Sequence, residues 1–157
     1  MEEQKLNFFR KCMEEAFQKV VLQMTGMTFA PANELPPVLD EKKFSLIVGL
    51  VGHNKGHVLL ELNEELAKKI FEAMNGFPPD DDLELYLHLA EFANMVSGNG
   101  LTGINNFYKS SEMRLTPPAV FAGENLEITS PKVSSAGGAY RSEYGAIRLE
   151  IGIEGGL

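Results

Sequence analysis

The chain has 157 residues, 44% of them hydrophobic and 23% charged, with a formal net charge of -8. That length suits one folded domain with its own core, and the composition is that of a globular protein and not of a disordered chain. The acidity disfavours a nucleic-acid groove and an anionic membrane surface, since both repel it, so neither partner is expected.

Cys12 is the only cysteine, so no intramolecular disulfide forms, as suits a reducing compartment. It reads as a small buried hydrophobe on a helix. The opening segment lacks the basic and apolar regions of a signal peptide, and no apolar run approaches the ~20 residues of a membrane span. A cytoplasmic protein is expected.

The first helix is predicted from about Glu2 to Met24, because Leu6, Phe9, Met13, Ala16, Phe17, Val20, Val21 and Met24 recur at helical spacing. Gly26 is its stop, and the helix cannot continue through Pro36 and Pro37. Two apolar runs, 44–52 and 56–62, then read as a β-hairpin. A short amphipathic helix follows from about Asn63 to Met74, capped by Asn63 or a neighbour and ended by Gly76.

Asp80, Asp81 and Asp82 prepare another helix start, where acids face the positive end of the dipole. This helix is predicted from about Asp82 to Phe107. After it come the segment RLTPPAVFAG and two strand-like runs, 126–131 and 146–151. The stretch 134–145 between them (SSAGGAYRSEYG) reads as a turn or mobile loop, and the last residues as a tail that frays.

The order helix, Pro-Pro-Val, strand, strand occurs twice. Pro36-Pro37-Val38 matches Pro117-Pro118 followed by Val120, and GHVLLEL at 56–62 matches GAIRLEI at 145–151. The expectation is one domain, 1–157, with pseudo-repeat halves of about 2–75 and 82–154. The fold class that follows is α+β, with a pseudo-twofold duplication of helix-strand-strand halves. The long helices would pack on a mainly antiparallel sheet. Glu61 and Glu150, at matching points of the halves, are expected to alternate out to solvent.

On the long second-half helix, Leu85, Leu89, Phe92, Ala93, Val96 and Phe107 cluster on the side that packs on the sheet. Glu84, Leu87, Glu91, Asn94 and Gly98 share the other side. Glu91 and Asn94, three apart, are neighbours on that face. Gly98 lies one turn on and costs the helix about 1 kcal/mol relative to Ala. With no side chain there, another molecule's backbone can approach closely. Leu87, Met95 and Leu101 flank the pair in place of polar residues, which marks a contact surface.

Other patterns are weaker. Residues 98–103 spell G-x-G-x-x-G, but they follow four turns of helix, whereas a dinucleotide site needs them after a strand and at a helix start. The glycines read as close-packing or helix-loosening positions. His53, His57 and His88 read as surface histidines, His88 lying one turn before Glu91, and no zinc spacing is completed. Ser97 has no G-x-S-x-G context and reads as packed. No metal site and no cofactor of its own are expected.

Glu91, Asn94 and Gly98 in AEFANMVSGNG, with Thr116, Pro117, Pro118, Val120 and Gly123 in LTPPAVFAG, resemble CheX, within the CheC/CheX/FliY phosphatases of bacterial chemotaxis. The resemblance covers nearly the whole chain. It implies a phosphatase acting on a phosphorylated CheY-like response regulator. Glu91 would grip the partner through a lysine near the phosphorylated aspartate, and Asn94 would orient a water in line with phosphorus. Magnesium would come from the regulator. The relatives of CheC type carry a second E-x-x-N on the first helix; here Glu15 and Gln18 stand nearest, no glycine follows, and that helix reads as structural. The resemblance also implies a homodimer joined through the sheets. The alternative is a non-catalytic adaptor that binds a response regulator or a flagellar switch component.

The chemistry of the pair stands without the resemblance. An acyl phosphate has a good leaving group, so the barrier is largely positioning and charge stabilisation. A carboxamide both donates to and accepts from a water, which fixes its orientation without a strong base.

Overall fold

The computed structural model describes residues 2–33, 42–109, 112–124 and 134–154. It contains α1 (Glu2–Thr25), β1 (Ala30–Ala32), β2 (Lys42–Val51), β3 (Gly56–Asn63), α2 (Glu64–Asn75) and α3 (Asp82–Phe107). The chain continues through β4 (Arg114–Leu115), β5 (Ala119–Glu124), β6 (Ser134–Ser142) and β7 (Gly145–Ile153). Pro36–Val38, the run 126–131 and the last three residues lie outside the described residues.

The helix ends follow from local chemistry. Gly26 takes a positive φ of 74° and its N–H donates to the Leu22 carbonyl at 2.9 Å, closing α1. The Asn63 side chain accepts from the Leu66 N–H at 3.0 Å, and Gly76 ends α2 in the left-handed region. Asp81 caps α3 by accepting from the Glu84 N–H at 2.8 Å, while the Glu84 carboxylate accepts from the Asp80 N–H at 3.1 Å.

The strands form one antiparallel sheet in the order β1-β6-β7-β3-β2-β4, with β5 also paired to β2. Two hairpins, β2–β3 and β6–β7, meet at a β3–β7 seam. Leu60 lies opposite Leu149 there, its own counterpart in the two matching segments. Each hairpin is flanked at its outer edge by a strand from the other half of the chain: β1 beside β6, and β4 and β5 beside β2. The architecture is therefore α+β, with the long helices on a mainly antiparallel sheet.

Phe44, Leu46, Val48 and Leu50 of β2, Val58, Leu60 and Leu62 of β3, and Ile147, Leu149, Ile151 and Ile153 of β7 alternate onto one face and are buried. Phe9, Met13, Phe17 and Val20 of α1, Leu66 and Ile70 of α2, and Leu85, Leu89, Phe92 and Val96 of α3 complete that core. Helices α1 and α3 pack closely because α3 carries glycines where they meet. A Cβ on Gly100 would collide with the Met13 side chain, and one on Gly103 would sit 3.5 Å from Cys12 Sγ. Burial pushes the half-buried Cys12 thiol above its ordinary pKa, with Glu15 adding to the shift.

Two expectations are corrected here. The stretch 134–145 is no loop: 134–142 form β6, hydrogen-bonded to β7 in full register from Ser134 opposite Ile153 to Ser142 opposite Gly145. Its small residues lie against neighbouring backbone, and a Cβ on Gly137 would run into the Leu149 carbonyl. The segment RLTPPAVFAG contributes two strands, β4 and β5, both on β2. Between them Thr116 replaces ladder pairing by a two-way bond with Gly49. Its N–H donates to the Gly49 carbonyl and its hydroxyl accepts from the Gly49 N–H, each at 2.9 Å. This bulge tolerates Pro117 and Pro118, which have no N–H to contribute.

Glu61 and Glu150 do not simply point to water. Glu61 is only 2% exposed and forms ion pairs with Lys43 and Arg148 from the flanking strands. Arg148 also donates to Glu150 at 3.0 Å. Burial alone would raise the Glu61 pKa, but Lys43 and Arg148 outweigh it and hold the carboxyl below its ordinary 4.5.

Candidate functional site

Helix α3 turns Leu85, Leu89, Phe92, Ala93, Val96 and Ile104 inward, which fixes what it presents outward. Residues 87, 91, 94 and 98 fall within about 40° to 60° of one another at 100° per residue, so they form one stripe. Leu87 and Glu91 are exposed, and Asn94 and Gly98 are half-buried. The sequence reading brings these four together, and the structure does too. Phe107, assigned there to the packed side, is 66% exposed and meets the rings of Phe8 and Tyr108 at the margin of the core.

Neither the Glu91 carboxylate nor the Asn94 amide makes a hydrogen bond or ion pair among the described residues. Two other asparagines of α3 differ. Asn99 donates to the Met95 carbonyl at 2.8 Å, and Asn105 donates to the Met113 carbonyl at 3.0 Å. Asn94 thus combines partial burial, which restricts its motion, with an amide left available to a water or a partner.

Gly98 is not demanded by packing within the chain. A Cβ there would meet only Leu115 Cδ1, at an ordinary 3.7 Å, in contrast to Gly100. The missing side chain instead leaves the surface beside Asn94 low.

Leu101 does not join the stripe. It is 6% exposed and belongs to the core cluster. The chain returning from α3 lies along this end of the helix: Asn105 exchanges hydrogen bonds with Met113, and Leu115 comes beside Gly98. Met95 is half-buried and packed against the core, so only part of it faces outward. His88 turns toward α2. Its Nδ1 lies 3.0 Å from the Glu84 carbonyl and its ring meets Phe71 edge-on at 4.6 Å. Ser97 is fully buried, and its hydroxyl has no partner among the described residues. Leu83, absent from the sequence reading, is 65% exposed and extends the stripe one turn beyond Leu87. An apolar residue on the polar side of the helical wheel is the signal that marks it.

The first helix carries the same spacing in Glu15, Gln18 and Leu22, but a different surface. The Gln18 amide donates to the Phe29 carbonyl at 3.0 Å, and Leu22, 52% exposed, stands where α3 has Gly98. Its amide is engaged and its low point is filled. Among the described residues no group of three or more His, Cys, Asp and Glu side chains is placed to hold a metal. No described helix is long and apolar enough to cross a membrane.

The family model of the chemotaxis phosphatase CheX matches residues 44–139, most of the chain and all of α3. The chain belongs to the CheX family. Solved structures carry the same fold. A CheC-like superfamily protein from Shewanella is 26% identical over 94% of this chain and 98% of its own, with a TM-score of 0.81. A chemotaxis protein CheX from Desulfovibrio desulfuricans is 21% identical over 93% and 99%, with a TM-score of 0.80. The CheX of a CheX-CheY-BeF3-Mg2+ complex from Borrelia burgdorferi is 22% identical over 92% and 97%, with a TM-score of 0.75. No curated protein matches the chain.

Proposed function

We propose that this chain hydrolyses the aspartyl phosphate of a CheY-like response regulator, with Glu91 and Asn94 as the residues that touch the partner's active site. The observation that carries the reading is the uncommitted Asn94 amide, half-buried on the open stripe of α3 beside the low surface of Gly98. Membership of a phosphatase family supports it, as does a relative solved in complex with CheY.

In this account Asn94 enters the regulator's site and holds a water by donating and accepting, in line with the phosphorus. The reacting bond is an activated acyl phosphate, so correct placement of the water supplies most of the acceleration. Glu91, one turn earlier, forms an ion pair with a basic residue of the partner and fixes register. Mg2+ belongs to the regulator. The chain acts as a homodimer, in the cytoplasm where response regulators work.

A non-catalytic adaptor would bind through the same stripe but leave the phosphoryl group in place. Mixing the chain with a phosphorylated CheY-like protein and Mg2+ separates the two. Faster loss of phosphate supports hydrolysis; an unchanged lifetime in a demonstrated complex supports the adaptor.

A further inference from the structure

The open face of α3 is closed at one end and open at the other. Past Gly98 the returning segment seals it: Leu115 lies 3.7 Å from the position of a Gly98 Cβ, Leu101 is buried, and Asn105 is bonded to Met113. Toward the N-terminus nothing among the described residues covers it, and Leu87 and Leu83 stand 62% and 65% exposed. At 100° per residue, Leu83, Leu87, Glu91, Asn94 and Gly98 fall within about 80° of one another, and Leu83 lies about 16 Å from Asn94 along the axis.

A specific protein interface buries about 800 Å² on each partner. Glu91, Asn94 and a glycine supply a small part of that. Along this helix the contact can grow only toward Leu87 and Leu83. Helix α3 itself brings only acidic charge to that stripe. It contains no Lys or Arg, and Glu84 and Glu91 edge the stripe; Asp81, at the cap, and Asp82 lie about 120° and 140° round from Leu87. Asp82 lies 3.4 Å from Lys42, and Glu91 has no ionic partner among the described residues.

We infer that Leu83, with Leu87, is a specificity-determining contact for the response regulator, received by an apolar patch with a basic rim on its receiver domain. The inference rests on the proposed phosphatase function. It orients the partner: the phosphorylated end over Asn94 and Gly98, the apolar patch over the first turns of α3. Leu83 touches no reacting atom. It sets how tightly and which regulator docks, and so belongs to binding that is equal in ground and transition states.

The test is steady-state dephosphorylation of a CheY-like regulator, with direct titration of the same receiver domain held in its BeF3–Mg2+ form. Leu83→Ala is expected to raise KM and Kd about tenfold, the scale of one buried leucine side chain, with kcat unchanged. Leu83→Lys is expected to weaken binding more than Leu83→Glu, because the expected rim is basic. Leu83 is exposed, so the thermal midpoint should not move in any of these variants. Unchanged KM and Kd in Leu83→Ala overturn the inference, as does a fall in kcat at constant KM. If the wild-type chain binds the receiver without hydrolysing its phosphate, the phosphatase reading fails, and the Kd values alone still decide the role of Leu83. If the wild-type chain binds no receiver, both fail.

Discussion

Asn105 and Met113 exchange two hydrogen bonds, at 3.0 and 3.2 Å, and this exchange fixes where the open face of α3 ends. The amide ties the end of the helix to the segment leading into β4, so Leu115 comes to rest beside Gly98. Replacing Asn105 by Ala should lower the unfolding free energy by about 1–2 kcal/mol, because Met113 loses both partners. Denaturant titration reads this. An unchanged midpoint would mean that the segment is held in place by other contacts.

The glycines of α3 should separate by role. Gly100→Ala forces a Cβ into Met13 at the α1–α3 contact and should destabilise by about 1–3 kcal/mol. Gly98→Ala has room for its methyl and should leave stability unchanged, or raise it by up to about 1 kcal/mol from helix propensity. Its phosphatase activity should nonetheless fall, because the methyl raises the surface beside Asn94. Melting curves and decay assays on both variants check the contrast.

Much of this architecture is legible from residue order. The three helices follow from apolar periodicity and from caps whose chemistry is local: Asn63, Gly76 and Asp81 act within four residues of themselves. The stripe of Leu87, Glu91, Asn94 and Gly98 follows from the same periodicity. Other features depend on partners far along the chain. Apart from Tyr140 and Arg141, strand β6 consists of Ser, Ala and Gly, residues with little strand preference, and it pairs with β7 and β1 on its two sides. Pro117 and Pro118 suggest a break, yet the edge position beside β2 tolerates them through the Thr116–Gly49 bond. Leu101 shares the wheel position of exposed residues, so periodicity does not show that it joins the core. Alternation shows which face Glu61 occupies, but not that Lys43 and Arg148 flank it there.

That ion trio sets a pH dependence. The Glu61 carboxyl is held below 4.5 in the folded chain because Lys43 and Arg148 outweigh the effect of burial. A depressed carboxyl contributes stability that is present above its unfolded pKa and lost as pH falls through the folded one. Glu61→Gln should therefore cost ~2 kcal/mol near neutral pH. The gap from wild type should close as pH drops below 4.5. Chemical denaturation at several pH values measures the gap; one that stays constant into acid would show that the lost stability is not ionic.

The central claim is that the Asn94 amide positions the hydrolytic water. The direct measurement is the decay of a phosphorylated CheY-like regulator with Mg2+, alone, with the wild-type chain, and with Asn94→Ala. The wild-type chain should shorten the lifetime of the phosphate. Asn94→Ala should bind the regulator and return its decay to within about tenfold of the spontaneous rate, since positioning supplies most of the acceleration. Turnover by Asn94→Ala equal to wild type would contradict the account and place the chemistry elsewhere on the molecule.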